Sequence, residues 1–74
     1  MALNYDSLTH AHRARIDLAV VRVVKAVRKD HGRMRDVNRG LVARVAQVCR
    51  DMSIGEAALV EGIAAGILDG SVSE

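Results

Sequence analysis

The residues of this chain whose types could support metal binding are its three histidines, its single cysteine and its nine carboxylates. His10 and His12 are two residues apart, a spacing that does not place both on one face of a helix, and His31 lies far along the chain. A zinc site needs four protein ligands, or three and a water, and no second cluster accompanies these histidines. We therefore predict no metal and interpret the histidines as surface side chains.

The same residues give little basis for catalysis. Cys49 lies on the flank of an apolar stripe with no histidine near it in the sequence, which is typical of a small core residue rather than a nucleophile. Helix capping accounts for Asp6, Asp36 and Glu56 without any acid or base chemistry. No glycine-rich phosphate loop is present. The sequence predicts a protein that is not an enzyme and that takes no cofactor.

Charge is distributed unevenly along the chain. All 11 Lys and Arg residues lie within residues 1–50, where only four acids oppose them, so this part carries a net charge of +7. Residues 51–74 contain five acids and no cation, a net charge of −5. This asymmetry favours an anionic partner or head-to-tail complementarity between subunits. The alternative is a solvated basic helix face beside an acidic one.

Residues 16–29 have the apolar spacing of an amphipathic helix. At 100° per residue, one stripe buries Ile16, Val20, Val23 and Val27. We expect this helix to span about residues 8–30, with Asp6 or Ser7 as its N-cap and Gly32 beyond its end.

Basic residues line the opposite side of this helix. At the helical rise per residue, the stripe from Arg15 to Lys29 is about 21 Å long. Seven residues are candidate contacts to an anionic partner or a nucleic acid, the last three continuing the stripe across the first connection: Arg15, Arg22, Lys25, Lys29, Arg33, Arg35 and Arg39. Leu18 and Val21 lie beside them, either as tolerated surface residues or as a second contact.

Two further helices follow from capping and periodicity. Asp36 is a suitable N-cap for a helix over about residues 37–52, whose apolar stripe comprises Val37, Leu41, Val45, Val48 and Met52, widened by Val42 and Cys49. Ser53 and Glu56 match the S-x-x-E capping box, which predicts a third helix over residues 54–69 that stops at Gly70. Its core stripe consists of Leu59, Val60, Ile63 and Ile67, and a second, smooth face consists of Ala58, Gly62 and Ala65. Gly62 and Gly66 have a spacing that allows close helix approach.

Three helices with short connections predict an all-α fold, a compact three-helix bundle in a single domain over residues 1–74, with residues 1–6 and 71–74 frayed. The chain has no Trp or Phe and one Tyr, so its core is aliphatic and we expect it to dimerise. It shows no secretory signal, one cysteine and no apolar segment long enough to span a bilayer. We therefore expect a cytoplasmic protein without membrane contact.

Residues 45–58, VAQVCRDMSIGEAA, look like a helix-turn-helix, and residues 49–54 are similar to the turn of some transposase and repressor DNA-binding domains. The resemblance implies DNA binding through the third helix. Ser53 stands where such turns often have glycine, and the helix that would read bases offers Glu56, Ala57, Ala58 and Glu61. Carboxylates at those positions repel phosphate.

Two functions from different classes remain open. The first is a small regulatory binding protein, a homodimer that inhibits or modulates a larger protein partner by contact, of a size common among regulators encoded by phages and mobile elements. Its candidate interface residues are Leu18, Val21, Ala58, Gly62 and Ala65. The alternative is a DNA- or RNA-binding transcriptional regulator that uses the basic stripe, without single-strand stacking, because Tyr5 is the only aromatic residue.

Overall fold

Three helices make up the protein in a computed structural model, which describes residues 4–30 and 37–70, with the side chains of residues 30 and 37–39 excepted. The helices are α1 (His10–Asp30), α2 (Val37–Val48) and α3 (Ile54–Asp69), and a single 3-10 turn, Tyr5–Ser7, precedes α1. Each helix packs against the other two, and the described ranges contain no strand. The predicted all-α three-helix bundle is confirmed.

The start of α1 differs from the prediction. The helix begins at His10, and the hydroxyl of Thr9 accepts a hydrogen bond of 3.2 Å from the backbone N–H of His12. Neither Asp6 nor Ser7 is its cap, because both lie in the preceding turn, where the Asn4 side chain accepts from the Asp6 N–H at 3.1 Å. The polar residues before the helix therefore cap two successive elements rather than one.

Tyr5 attaches this turn to the bundle. Its ring packs against the core and its hydroxyl donates a 2.8 Å hydrogen bond to Asp17 of α1, while the Arg13 guanidinium lies 5.9 Å from the ring centroid. Residues 4–6, which belong to the segment 1–6 that we expected to be frayed, thus have defined contacts. The hydrogen bond to the Asp17 carboxylate raises the pKa of the Tyr5 phenol above 10, and burial and the charge of Asp17 act in the same direction.

Asp17→Asn is expected to bring the pKa of Tyr5 back towards 10, because the amide carries no negative charge to disfavour the phenolate. An alkaline titration followed by the near-ultraviolet absorbance of phenolate measures it, and the signal belongs to one residue since the chain has one Tyr and no Trp. Identical titration curves for the wild type and the variant would show that the bond is not made in solution.

The core consists of short aliphatic side chains from all three helices. The predicted α1 stripe is buried throughout, and α1 adds Ala19 and Val24 to it. Among the described residues, the buried hydrophobic side chains are those of Ile16, Ala19, Val20, Val23, Val24, Val27, Leu41, Val45, Cys49, Val60 and Ala64. Cys49 is confirmed as a small core residue, and burial raises the pKa of its thiol. No aromatic ring contributes to the buried set, so each side chain supplies a modest apolar area.

The connection between α2 and α3 is longer than predicted. Helix α2 ends at Val48 rather than near Met52, and the Met52 N–H closes a turn on the Cys49 carbonyl at 2.9 Å. The chain must leave the helix early because Ser53 has to adopt an extended backbone, with φ −68° and ψ 163°, to cap α3. Val42, predicted to widen the core stripe, is 59% exposed, since it lies a further 100° around α2 from the buried Leu41.

The predicted limits of α3 are confirmed at both ends. The Ser53 hydroxyl accepts from the Glu56 N–H at 3.2 Å, and the Ser53 N–H donates to the Glu56 carboxylate at 3.1 Å, which completes the capping box. Gly70 has φ 85° and donates its N–H to the Ile67 carbonyl, as a left-handed helix stop does. Along α3, Val60 and Ala64 are fully buried, whereas the stripe residues Leu59, Ile63 and Ile67 are half-buried.

Two expectations for glycines have different outcomes. No atom lies within 4 Å of the position that a Cβ at Gly62 would take, so within the described residues Gly62 allows no close approach between helices. The predictions for Gly32 and for the Asp36 cap, and the predicted fraying of residues 1–3 and 71–74, concern positions outside the described residues. Across the described ranges, every helix is too short or too polar to cross a bilayer.

Candidate interaction face of helix α1

The outer side of α1 presents cations and two large aliphatic side chains to solvent. Leu18 is 52% exposed and Val21 is 47% exposed. Four predicted basic residues lie exposed around them at helical spacing. We call this set the basic face: Arg15, Leu18, Val21, Arg22, Lys25 and Lys29. It is opposite the stripe that α1 buries in the core.

Most cations of the basic face have no neutralising partner nearby. Arg22, Lys25 and Lys29 form no ion pair or hydrogen bond with the described residues. Asp17 of α1 is bonded to Tyr5 on another side of the helix, and Asp30, which follows Lys29, has its side chain outside the described set. Arg15 is partly engaged, since its Nη2 donates to the Asp51 carbonyl at 3.4 Å. The face is therefore a surface of positive potential with an apolar centre.

The basic stripe was predicted to continue past α1 through residues whose side chains the structure does not describe. Arg33 and Arg35 lie outside the described residues, and Arg39 is in α2 but its side chain is among those excepted. The structure therefore brings together four of the seven predicted cationic contacts, all on α1.

A cleft lies at the amino-terminal half of the basic face, between α1 and the end of α2. It has a volume of about 250 Å³ and is lined by Arg15, Leu18, Ala19, Arg22, Val48, Asp51 and Met52. We call it the α1–α2 cleft. Pockets for small molecules typically enclose about 300 to 1,000 Å³. This cleft is smaller and open at its rim, where Leu18 is half-exposed, and its size suits one apolar side chain better than a cofactor.

The other predicted interface is on α3. Ala58 and Gly62 are exposed and Ala65 is half-buried, so the smooth face is accessible over most of its length. At the start of the same face, Ile54 is 91% exposed, the highest exposure of any large apolar side chain in the described residues. This side chain, which the sequence analysis did not single out, lies two residues beyond Met52 of the α1–α2 cleft.

A polar cluster at the start of α3 was also missed. His12 Nε2 lies 3.0 Å from Glu56 Oε2, and Arg15 Nε lies 3.8 Å from the same oxygen. His12 is thus half-buried against a partner rather than a free surface residue, whereas His10 is exposed as expected and His31 lies outside the described residues. The pairing residues are 44 positions apart in the sequence, so no local pattern could have shown the contact.

Glu56 has a strongly perturbed acidity but a structural explanation for it. The hydrogen bond from the Ser53 backbone N–H lowers its pKa most, the bond to His12 adds to this, and burial opposes it, with the result that the pKa falls from 4.5 to about 2. The carboxylate therefore stays ionised, accepts hydrogen bonds and joins α1 to α3. With so low a pKa, the carboxylate is too weak a base for efficient proton transfer near neutral pH.

Comparisons with models of protein families, with characterised proteins and with solved structures returned no match. The geometry of the described residues therefore has to support any functional proposal. Those residues include no group of three His, Cys, Asp or Glu side chains that could hold a metal ion.

Helices α2 and α3 do follow one another across a short turn, as a helix-turn-helix does. The second of them, α3, contains no Lys, Arg, Asn or Gln between Ile54 and Asp69. Its exposed side chains are Ile54, Ala58 and Asp69. The side chains that normally read base edges are therefore missing from the helix that would enter the major groove.

Proposed function

We propose that this protein is a small non-enzymatic regulator that binds a larger protein through the basic face and thereby inhibits or modulates it. The supporting observation is that Leu18 and Val21 remain half-exposed beside Arg22, Lys25 and Lys29, which form no ion pair with the described residues. The proposal places the protein in the cytoplasm, in agreement with its lone cysteine.

The arrangement favours a protein over a polyanion as the partner. Protein interfaces combine an apolar centre, whose burial contributes most of the free energy, with a polar rim that orients the partner. Leu18 and Val21 supply such a centre, and Arg22, Lys25 and Lys29 supply a cationic rim. The rim should speed association with an acidic partner surface, while loss of the apolar centre should speed dissociation.

A second candidate function is nucleic-acid binding by a transcriptional regulator. Three unpaired cations on one side of α1 could contact phosphates without base specificity. This candidate uses α1 rather than α3, because α3 carries no cation. It gives no role to Leu18 and Val21, which is why we rank it second.

The two candidates are separated by substitutions on the carboxyl-terminal half of the basic face. With the protein immobilised as bait in extract of its native cells, we expect one partner protein to be retained at two salt concentrations. Val21→Asp should lose that partner, since a charge at the apolar centre leaves it desolvated and unpaired. Val42→Asp is the matched control, because Val42 is also an exposed valine but lies on α2. Equal retention by both variants would contradict the proposal.

Titration with a labelled mixed-sequence DNA duplex and with RNA tests the alternative. If nucleic acid is the partner, affinity should fall steeply between about 50 and 200 mM salt. The double variant Lys25→Glu/Lys29→Glu should abolish binding of the nucleic acid, and Val21→Asp should leave the affinity unchanged. That combination would replace the first proposal with the second.

A further inference from the structure

Ile54 is an exposed apolar side chain, and the α1–α2 cleft is a recess whose lining comes within two residues of it in the chain. Ile54 begins α3 and is 91% exposed, so it contributes almost nothing to the core of its own chain. The recess has a volume of about 250 Å³, with apolar walls from Leu18, Val48 and Met52. Met52 lies two residues before Ile54 in the chain, which keeps the projection and the recess at the same end of the bundle.

We propose that this protein forms a two-fold symmetric dimer in which Ile54 of each copy enters the α1–α2 cleft of the other. A projection beside a recess is self-complementary under a two-fold rotation, because the rotation places each projection opposite the other copy's recess. Both contacts then form at once, and the assembly closes at two subunits. This inference goes beyond the proposed function and does not depend on it.

Two charged residues at the cleft also favour a second copy of the chain as its occupant. Arg22 and Asp51 line the cleft, and neither side chain forms an ion pair with the described residues. Asp51 lies three residues before Ile54, so a second copy that inserts Ile54 also carries its Asp51 carboxylate towards the cleft rim. The interface of such a dimer therefore contains two Arg22 guanidinium groups and two Asp51 carboxylates, equal numbers of each sign, since both residues line each cleft.

The apolar contact would supply most of the dimer's stability. Each insertion removes Ile54 and the exposed half of Leu18 from water, and burying an aliphatic side chain contributes about 1.5 to 3 kcal/mol. A dimer would add to the monomer's stability, because the monomer's core contains no aromatic side chain and a domain of 74 residues buries a smaller fraction of its surface than a larger domain does. The dimer covers Arg15, Leu18 and Arg22, so in the dimer the proposed partner would bind the rest of the basic face, which is Val21, Lys25 and Lys29.

Sedimentation equilibrium of the full chain over a range of concentrations tests the dimer. The wild type should show a monomer–dimer equilibrium, and Ile54→Asp and Leu18→Asp should each weaken it by at least about tenfold. Val42→Asp is the matched control, an exposed aliphatic residue away from the cleft, and should dimerise like the wild type. Circular dichroism of each variant checks that the three helices are retained.

Mixing the two defective variants gives the decisive result. For this mixture Leu18→Arg replaces Leu18→Asp, so that the second contact of a mixed dimer brings together opposite charges rather than two carboxylates. Ile54→Asp keeps an intact cleft and Leu18→Arg keeps an intact Ile54, so an equimolar mixture can form one native contact per dimer. We expect the mixture to associate at concentrations where either variant alone is monomeric. A monomeric wild type, a dimer indifferent to Ile54→Asp, or a mixture of folded variants with no gain in association would each overturn the proposal.

The dimer and the proposed partner binding are tested by different variants. Val21→Asp and Lys25→Glu/Lys29→Glu should leave the dimer intact, because none of these residues lines the cleft. Loss of partner capture in those variants with a normal dimer would support the function alone. A wild type that captures its partner but sediments as a monomer would refute the dimer and leave the function standing.

Discussion

Ile16→Ala is expected to lower the free energy of unfolding by about 2 to 5 kcal/mol, the range for truncating a buried isoleucine or leucine. Ile16 is fully buried on α1, whose apolar stripe meets both other helices. A domain of 74 residues has a total stability of roughly 4 to 11 kcal/mol. The variant should therefore lose a large part of that stability and unfold at a clearly lower urea concentration than the wild type.

Substitutions that remove fewer buried methyl groups should lower the free energy of unfolding by less. Val23→Ala and Val45→Ala, which remove less volume from buried positions, should each cost about 1 to 3 kcal/mol. Val42→Ala is the control and should change stability by less than about 0.5 kcal/mol, because Val42 is exposed. Urea unfolding followed by circular dichroism measures all four at one protein concentration, since association also stabilises. Core variants no less stable than the control would refute the packing described here.

Glu56→Gln is expected to remove an acid-sensitive part of the protein's stability. The pKa of Glu56 is lowered to about 2 in the folded protein from its ordinary value of 4.5, first by the Ser53 N–H and then by His12. A lowered pKa means that the folded state prefers the ionised carboxylate. The stabilisation of the folded state by the ionised Glu56 carboxylate is complete above pH 4.5 and is lost as the pH falls from 4.5 towards about 2.

Glutamine is the informative replacement because its side-chain oxygen can still accept from the N–H of the capping residue. The difference in urea midpoint between the wild type and Glu56→Gln should be largest above pH 4.5 and should shrink towards zero near pH 2. His12→Ala should reduce the difference without abolishing it, since the bond from Ser53 remains. A difference that does not vary over this pH range would mean that the carboxylate has its ordinary pKa in the folded protein.

Local signals in the sequence predicted the parts of the fold that depend on neighbouring residues. The buried stripe of α1 follows from spacing alone, and the capping box at Ser53 and the stop at Gly70 involve residues within a few positions of each other. The exposed positions of Leu18 and Val21 follow in the same way, because opposite sides of a helix are fixed by its period.

Features that depend on how the helices cross could not be predicted. The contact between His12 and Glu56 joins residues from two helices, and the α1–α2 cleft exists only because α2 ends at Val48 and its turn passes beside Leu18. The prediction that Val42 belongs to the core stripe was wrong for the same reason, because the neighbouring helices determine how much of the α2 surface is buried. Relative orientation arises from tertiary packing, which local periodicity does not encode.

The burial of Cys49 has a consequence for how copies of this protein meet. The thiolate is the species that attacks disulfides, and a thiol whose pKa is raised by burial is rarely in that form. Cys49 is the chain's one cysteine, so oxidising conditions offer the folded protein no ready route to a covalent link between two chains. The proposed dimer would then be reversible, and its extent would follow the protein's concentration rather than the redox state around it.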